Sequence, residues 1–287
     1  MKGQRGQTGA VLLALAALAL LPQQAWATWP VIALDRATGR TVMTLASCVD
    51  VDAVIVRKLT TVMVPGKGVA ACQAAVDSTM QDQTYVFQAL ERGEDPAAIL
   101  AHLQAGEHYP QRQYGILDIA GRGTGGSGSS APRFAKTVHG QVPGTQIFYA
   151  IQGNVVTEST VPDAVRAFVS TPGSLPDRAL AAMEAGDRAG GDTRCKCPPA
   201  SDQSGARCDE VHSRFAFLVM AGRNTPVAAR SDAQTFTLEL YVSPPGRGTD
   251  PIDVAKGESL DPVRTLRIRY DAWRKAHPDD PRLGRPK

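Results

Sequence analysis

The chain has 287 residues, 31 Lys and Arg against 28 Asp and Glu, a net charge of +3 and an apolar fraction of 43 %. No run of like charges occurs, so a nucleic-acid or acidic-membrane partner has no electrostatic footing. That apolar content is ordinary for a soluble globular protein, and beyond the first residues no apolar stretch approaches the ~20 residues of a membrane-spanning helix.

The start of the chain reads as an export signal. Lys2 and Arg5 give a positive opening, Ala10 to Leu21 an uncharged apolar run, and Ala25-Trp26-Ala27 a small-x-small cleavage site. The apolar run is too short for a retained anchor, and no Cys follows the site to carry a lipid. Residues 1–27 are therefore expected to be a secretory signal peptide. The remaining 260 residues, with a net charge of +1 once Lys2 and Arg5 are gone, would be periplasmic or extracellular. Cleavage after Ala27 makes Thr28 the first residue, with a free α-amine beside a hydroxyl. An α-amine titrates near ~7.7–8.0, so part of it is neutral and able to take the hydroxyl proton. Threonine with its own N-terminal amine is a recognised activated nucleophile. Equally, signal cleavage must leave some residue first.

From Thr28 onward the elements alternate between hairpins and helix pairs. Thr28–Leu34 and Thr41–Ala46 are apolar stretches joined by Asp35-Arg36-Ala37-Thr38-Gly39-Arg40, whose Asp and Gly predict a β-hairpin. A further strand is expected at Ala53–Val56, and Val62–Val69 reads as strand, turn and strand. Helices are predicted over Ser78–Arg92 and, capped by Asp95-Pro96, over Ala97–Gln104. Gln113–Ala120 returns as a strand. The Gly/Ser tract 121–130 contains Gly121-x-Gly123-x-x-Gly126, but no helix follows it, so it reads as a mobile loop and not a nucleotide site. Gln146–Ile151 is a strand leading into Gln152-Gly153-Asn154. Pro162–Val169 and Leu175–Ala189 are helical, Arg214–Met220 and Thr235–Val242 are strands, and Asp261-Pro262 opens a last helix. Its Val263, Leu266, Tyr270 and Trp273 form one apolar stripe, read as core packing. The charged, Pro-rich residues 277–287 are expected to be a flexible tail. Hairpins and helix pairs without βαβ alternation predict an α+β domain, antiparallel sheets covered by helices, spanning 28–276.

Five cysteines remain: Cys48, Cys72, Cys195, Cys197 and Cys208. Export favours disulfides, with the 193–210 stretch clamped by Cys208 and one of its two neighbours. Alternatively Cys195, Cys197, Cys208 and His212 supply four zinc ligands, though at an unusual spacing. The odd count leaves at least one thiol unpaired within the chain.

Four segments carry a resemblance: Thr28-Trp29-Pro30-Val31-Ile32-Ala33-Leu34-Asp35, Arg112-Gln113-Tyr114-Gly115-Ile116-Leu117-Asp118, Tyr149-Ala150-Ile151-Gln152-Gly153-Asn154 and Ala189-Gly190-Gly191-Asp192. In this order they resemble an uncharacterised bacterial family described as having an Ntn-hydrolase-like (N-terminal nucleophile) fold. The resemblance runs from Thr28 to about Tyr270. It implies a four-layer αββα sandwich with the nucleophile at the start of the first strand. The Gly/Ser tract and the three-cysteine stretch depart from the family pattern.

In that fold class a lysine and an aspartate commonly sit beside the nucleophile. Lys58 is the best lysine candidate, or a solvated residue at a strand end, and Asp50 or Asp52 the acid, or turn residues. Gln152 and Asn154 are candidate N–H donors to an oxyanion, or turn residues. Asp192 would orient a catalytic group or cap a chain reversal. The expected function is an exported amidohydrolase using Thr28 on peptides, cell-wall fragments or acylated amines, with no cofactor or metal. The alternative is a non-catalytic binding module in the periplasm.

Overall fold

The computed structural model describes residues 28–130, 134–195, 211–244, 246–247 and 252–278. The expected signal peptide, Cys197, Cys208 and the tail from residue 279 lie outside the described residues.

Strands β1 (Val31–Asp35) and β2 (Arg40–Ser47) form the opening hairpin. Its turn closes through Gly39 N–H to the Asp35 carbonyl (2.7 Å), while the Asp35 carboxylate accepts from Ala37 N–H and the Thr38 hydroxyl. The expected strand at Ala53–Val56 is instead the first turn of helix α1 (Ala53–Thr60). β-branched Val54, Ile55 and Val56 favour a strand, but Asp52 overrides them by accepting from Val54 N–H (2.8 Å) and Ile55 N–H (3.2 Å). Ala53 and Val56 then bury one face, and Ile55 stays exposed.

β3 (Thr61–Val64) and β4 (Gly68–Ala74) make a second hairpin, followed by α2 (Gln81–Arg92) and α3 (Pro96–Gln104). β5 is Arg112–Asp118, β6 Gly123–Ser127, β7 Lys136–Gln141 and β8 Ile147–Gly153. Helices α4 (Thr160–Ser170) and α5 (Leu175–Arg188) follow, the latter opened by a capping box between Ser174 and Asp177. β9 (Phe215–Ala221), β10 (Leu238–Val242) and α6 (Pro262–Ala276) complete the chain.

The strands form two antiparallel sheets, ordered β10-β9-β2-β1-β8-β7 and β3-β4-β5-β6. Three apolar cores separate four layers. Helices α4, α5 and α6 bury Phe168, Leu180, Met183, Leu266 and Tyr270 against the outer face of the six-stranded sheet. Ile32, Leu34, Met43, Leu45, Val69, Leu117, Phe215 and Phe217 fill the space between the sheets. Helices α2 and α3 press Phe87, Leu90, Ile99 and Leu103 onto the far side of the four-stranded sheet. The result is an αββα sandwich.

Part of the Gly/Ser tract is the edge strand β6, paired to β5 with Gly115 opposite Gly125. Glycine is a poor strand former, but here the backbones approach too closely for side chains. A Cβ on Gly125 would strike the Thr137 methyl and lie 2.9 Å from the Tyr114 carbonyl, and one on Gly126 would lie 2.6 Å from the Tyr109 hydroxyl.

Cys48 is disulfide-bonded to Cys195, 147 residues away. This removes Cys195 from the expected clamp with Cys208 and from the four-ligand zinc set, since a disulfide sulfur is no thiolate donor. Cys72 is the unpaired thiol among the described residues, buried beneath α2. Gly125→Ala is expected to destabilise the protein by about 1–3 kcal/mol through overpacking. A urea midpoint unchanged from the parent would show that the sheets yield at this point.

Candidate functional site

Strand alternation sends every second side chain into the space between the sheets. On β8 the inward set containing Ala150 continues to Gln152 and then Asn154, and on β1 the set containing Ile32 runs back through Pro30 to Thr28. On the opposing sheet the β4 set of Val69 and Ala71 ends at Gln73, and the β5 set of Leu117 and Gly115 ends at Gln113. At one end of the apolar layer the two sheets therefore face each other with polar rows. Gln73, Gln113 and Ser127 are register neighbours across β4, β5 and β6, and Thr28 pairs with Asn154 while Gln152 pairs with Thr137.

These rows are joined by hydrogen bonds. The Thr28 hydroxyl donates to Gln73 Oε1 and accepts from Asn154 Nδ2 (3.3 Å). Gln73 Nε2 donates to Gln113 Oε1, which Asn154 Nδ2 also approaches at 3.4 Å. Gln113 Nε2 faces the carbonyls of Lys136 and Gly153, both at 3.1 Å, and the hydroxyls of Ser127 and Thr137. Thr28 is further held by its carbonyl, which accepts from Asn154 N–H (3.1 Å). Thr28, Gln113, Gln152 and Asn154 are fully buried. Both polar atoms of the Gln152 carboxamide, and Asn154 Oδ1, have no hydrogen-bond partner. Gln152 Oε1 lies over Gly115, where a Cβ would stand 2.6 Å away.

The structure thus brings Thr28 and Asn154 into the hydrogen-bonded cluster, with the unbonded Gln152 carboxamide on the same inward row, and leaves Lys58 and Asp192 out of it. Lys58 is an exposed residue of α1, close enough to Asp232 to help lower that carboxyl's pKa. Asp52 caps α1 and accepts from the Ser243 hydroxyl, and Asp50 pairs with Arg247 (3.2 Å). Asp192 is buried, but its carboxylate accepts from Cys48 N–H (2.9 Å) and from the backbone and guanidinium of Arg194. It ties the turn after α5 to the chain leaving β2, which is the chain-reversal role.

Sequence reasoning missed Gln73 and Gln113. Both are lone carboxamides at inward positions of apolar strands, Gly68–Ala74 and Arg112–Asp118, and that interruption of the pattern is the signal that could have exposed them.

Next to Thr28, Trp29 is 1 % exposed, its ring packed against Gly186 and Gly191. The same Gly191 touches His212, whose Nδ1 lies 3.5 Å from Asp187 Oδ1 without a hydrogen bond to it. Burial pushes the Asp187 carboxyl up to about 7, with the Asp261 carboxylate adding to the shift and Arg188 and Arg264 opposing it. Among the described residues no cluster of His, Cys, Asp and Glu could hold a metal, and no helix is long and apolar enough to cross a membrane.

Fold and site define the class: an α+β sandwich of two antiparallel sheets between helical layers, with a threonine held by amides at one end of the inter-sheet space. A family described as "Family of unknown function (DUF1028)" matches residues 28–206, and the chain belongs to it. The crystal structure of protein SPO2555 from Silicibacter pomeroyi, a DUF1028 family model, is similar over 88 % of this chain and 91 % of that one. Its TM-score is 0.59 and the two sequences are 19 % identical, a likeness of fold. No curated protein matches the chain.

The Asp187 shift sets a pH dependence. Between the ordinary carboxylate range and about pH 7 the unfolded chain ionises this group while the folded chain keeps it protonated. Stability is therefore expected to fall as pH rises through that window and to level off above it. Denaturation midpoints taken from about pH 4 to about pH 8 should lose this component in Asp187→Asn. Parallel curves for variant and parent would refute the assignment.

Proposed function

We propose that the protein is an exported amidohydrolase whose nucleophile is Thr28, freed at its amine by cleavage after Ala27. The observation that carries this reading is the Thr28 hydroxyl, fixed between Gln73 and Asn154 on the first strand segment of an αββα sandwich. The family resemblance to N-terminal nucleophile hydrolases supports it.

The chemistry follows from the groups present. An amide oxygen is too weak a base to take a hydroxyl proton, so Gln73 can orient Thr28 but not deprotonate it. The base is then the Thr28 amine. As Thr28 Oγ1 bonds to the substrate carbonyl carbon, its proton passes to the amine. The C–N bond breaks and the departing nitrogen takes that proton. Water then cleaves the ester, releasing the acid and restoring the hydroxyl. Asn154 Nδ2, already 3.3 Å from Oγ1, stabilises negative charge on that oxygen. Gln152 Nε2, which has no partner, is the donor available to the carbonyl oxygen, a contact worth about 3–4 kcal/mol when well placed. Lys58 and Asp192 have no role in this scheme.

One observation favours the second reading, a non-catalytic binding module. Thr28 is fully buried, and among the described residues both partners of its hydroxyl are neutral amides. A β-lactone probe and intact-mass analysis separate the two. Protein beginning at Thr28 should gain one adduct at that residue. Thr28→Ser should keep it, and both Thr28→Ala and a chain retaining Ala27 should lose it. Equal labelling of Thr28→Ala would sink the nucleophile, and an inert parent would leave the binding module.

A further inference from the structure

At the end of β1 remote from Thr28 lies a pocket of about 450 Å³ between the β1–β2 turn and the segments flanking β9 and β10. Eight residues of extended chain separate Thr28 from Arg36, on the order of 26 Å, so the pocket is distinct from the threonine cluster. Its wall includes Arg40, Arg223, Asn224, Phe236 and several threonines, and no carboxylate.

Arg223 is held in place by both sheets. Its side chain crosses Gly39 in the β1–β2 turn, where a Cβ would fall 2.7 Å from Nε. Its Cγ lies 3.5 Å from the equivalent point on Gly66 in the β3–β4 turn. Both glycines have positive φ (69° and 70°), so the two turns jointly reserve this space for the arginine. The guanidinium reaches only the Arg36 carbonyl, at 3.4 Å, and forms no ion pair among the described residues.

A second cation stands behind the pocket. Arg57 is 5 % exposed and lies over the Phe236 ring at 5.1 Å, with Nε and Nη1 lacking hydrogen-bond partners. Arg57 also faces the Tyr241 hydroxyl, which donates to the Glu239 carboxylate (2.6 Å), and an added anion would further offset the cost of burying its charge. Asp35, the register partner of Arg40, accepts from Ala37 N–H and the Thr38 hydroxyl. The turn closes by Thr225 N–H to the Gly222 carbonyl, and among the described residues the N–H groups of Arg223 and Asn224 have no backbone acceptor.

We propose that this pocket binds a small molecule through a phosphate or carboxylate group. Arg223 is its bidentate partner, the Arg223 and Asn224 N–H groups are further donors, and Phe236 packs against the attached body.

Isothermal titration with inorganic phosphate and, separately, with citrate, at ionic strength held constant with sodium chloride, tests this. Binding of one or both anions is expected, and the stronger arm identifies phosphate or carboxylate as the group taken. Arg223→Ala, at an exposed position, should weaken binding about tenfold or more, with Arg223→Lys intermediate. Thermal midpoints of the unliganded variants check that they fold. No heat beyond the chloride control for either anion, or unchanged affinity in Arg223→Ala, would overturn the proposal.

Discussion

The arrangement at the end of the inter-sheet layer depends on how one buried carboxamide satisfies its donors. Gln113 Nε2 faces two backbone carbonyls, and carbonyls can only accept, so the amide has one orientation. Its Oε1 must then point at Gln73 and Asn154. Gln73 donates to it and so turns its own oxygen toward Thr28, which must donate in return. The remaining lone pairs of the Thr28 hydroxyl meet Asn154. A side chain that would otherwise rotate among three wells is held in one, and the information that holds it comes from the Lys136 and Gly153 carbonyls.

This holding is done without charge. The carboxylates near the sheet ends are used elsewhere: Asp52, Asp95 and Asp261 cap helices, Asp177 closes a capping box, and Asp192 secures the turn after α5. Burial between two sheets penalises an ionised group far more than an amide. The Thr28 hydroxyl gains rigidity from these neighbours, and none of the amides that hold it is basic enough to take its proton. The orphaned Gln152 carboxamide is the one element of the cluster whose bonding capacity is wholly unspent.

Much of the fold was legible because its elements announce themselves locally. The Asp-Pro helix starts and the Asp–Gly hairpin turn work within a few residues, and the corresponding elements lie where they were expected. The failures have long-range causes. The β-branched run after Asp52 is a helix because the cap and the buried Ala53–Val56 face outweigh strand propensity. The glycines of β6 look like a loop until the opposing Thr137, Tyr109 and Tyr114 are seen to need the room. Strand β7, with exposed and half-buried polar residues, has no periodic signal and exists as the partner of β8. In the candidate site, Thr28, Gln152 and Asn154 stood out through position and the family resemblance. Gln73 and Gln113 gain meaning only from the register that pairs them across β4 and β5, and the bond from Cys195 reaches back to β2 beyond any local spacing.

The backbone around Thr28 is fastened on both sides. Its carbonyl accepts from Asn154, Trp29 N–H donates to Ala46, the Pro30 carbonyl accepts from Gln152, and the indole is wedged under α5. None of these contacts uses the Thr28 nitrogen. A recombinant preparation carrying an initiator Met or a residual tag residue at that position would keep every one of them. On the proposed mechanism, such material would keep the fold yet present a secondary amide in place of the reacting amine. Under that mechanism, absence of turnover in such material would report on how the protein was made and not on what its threonine can do.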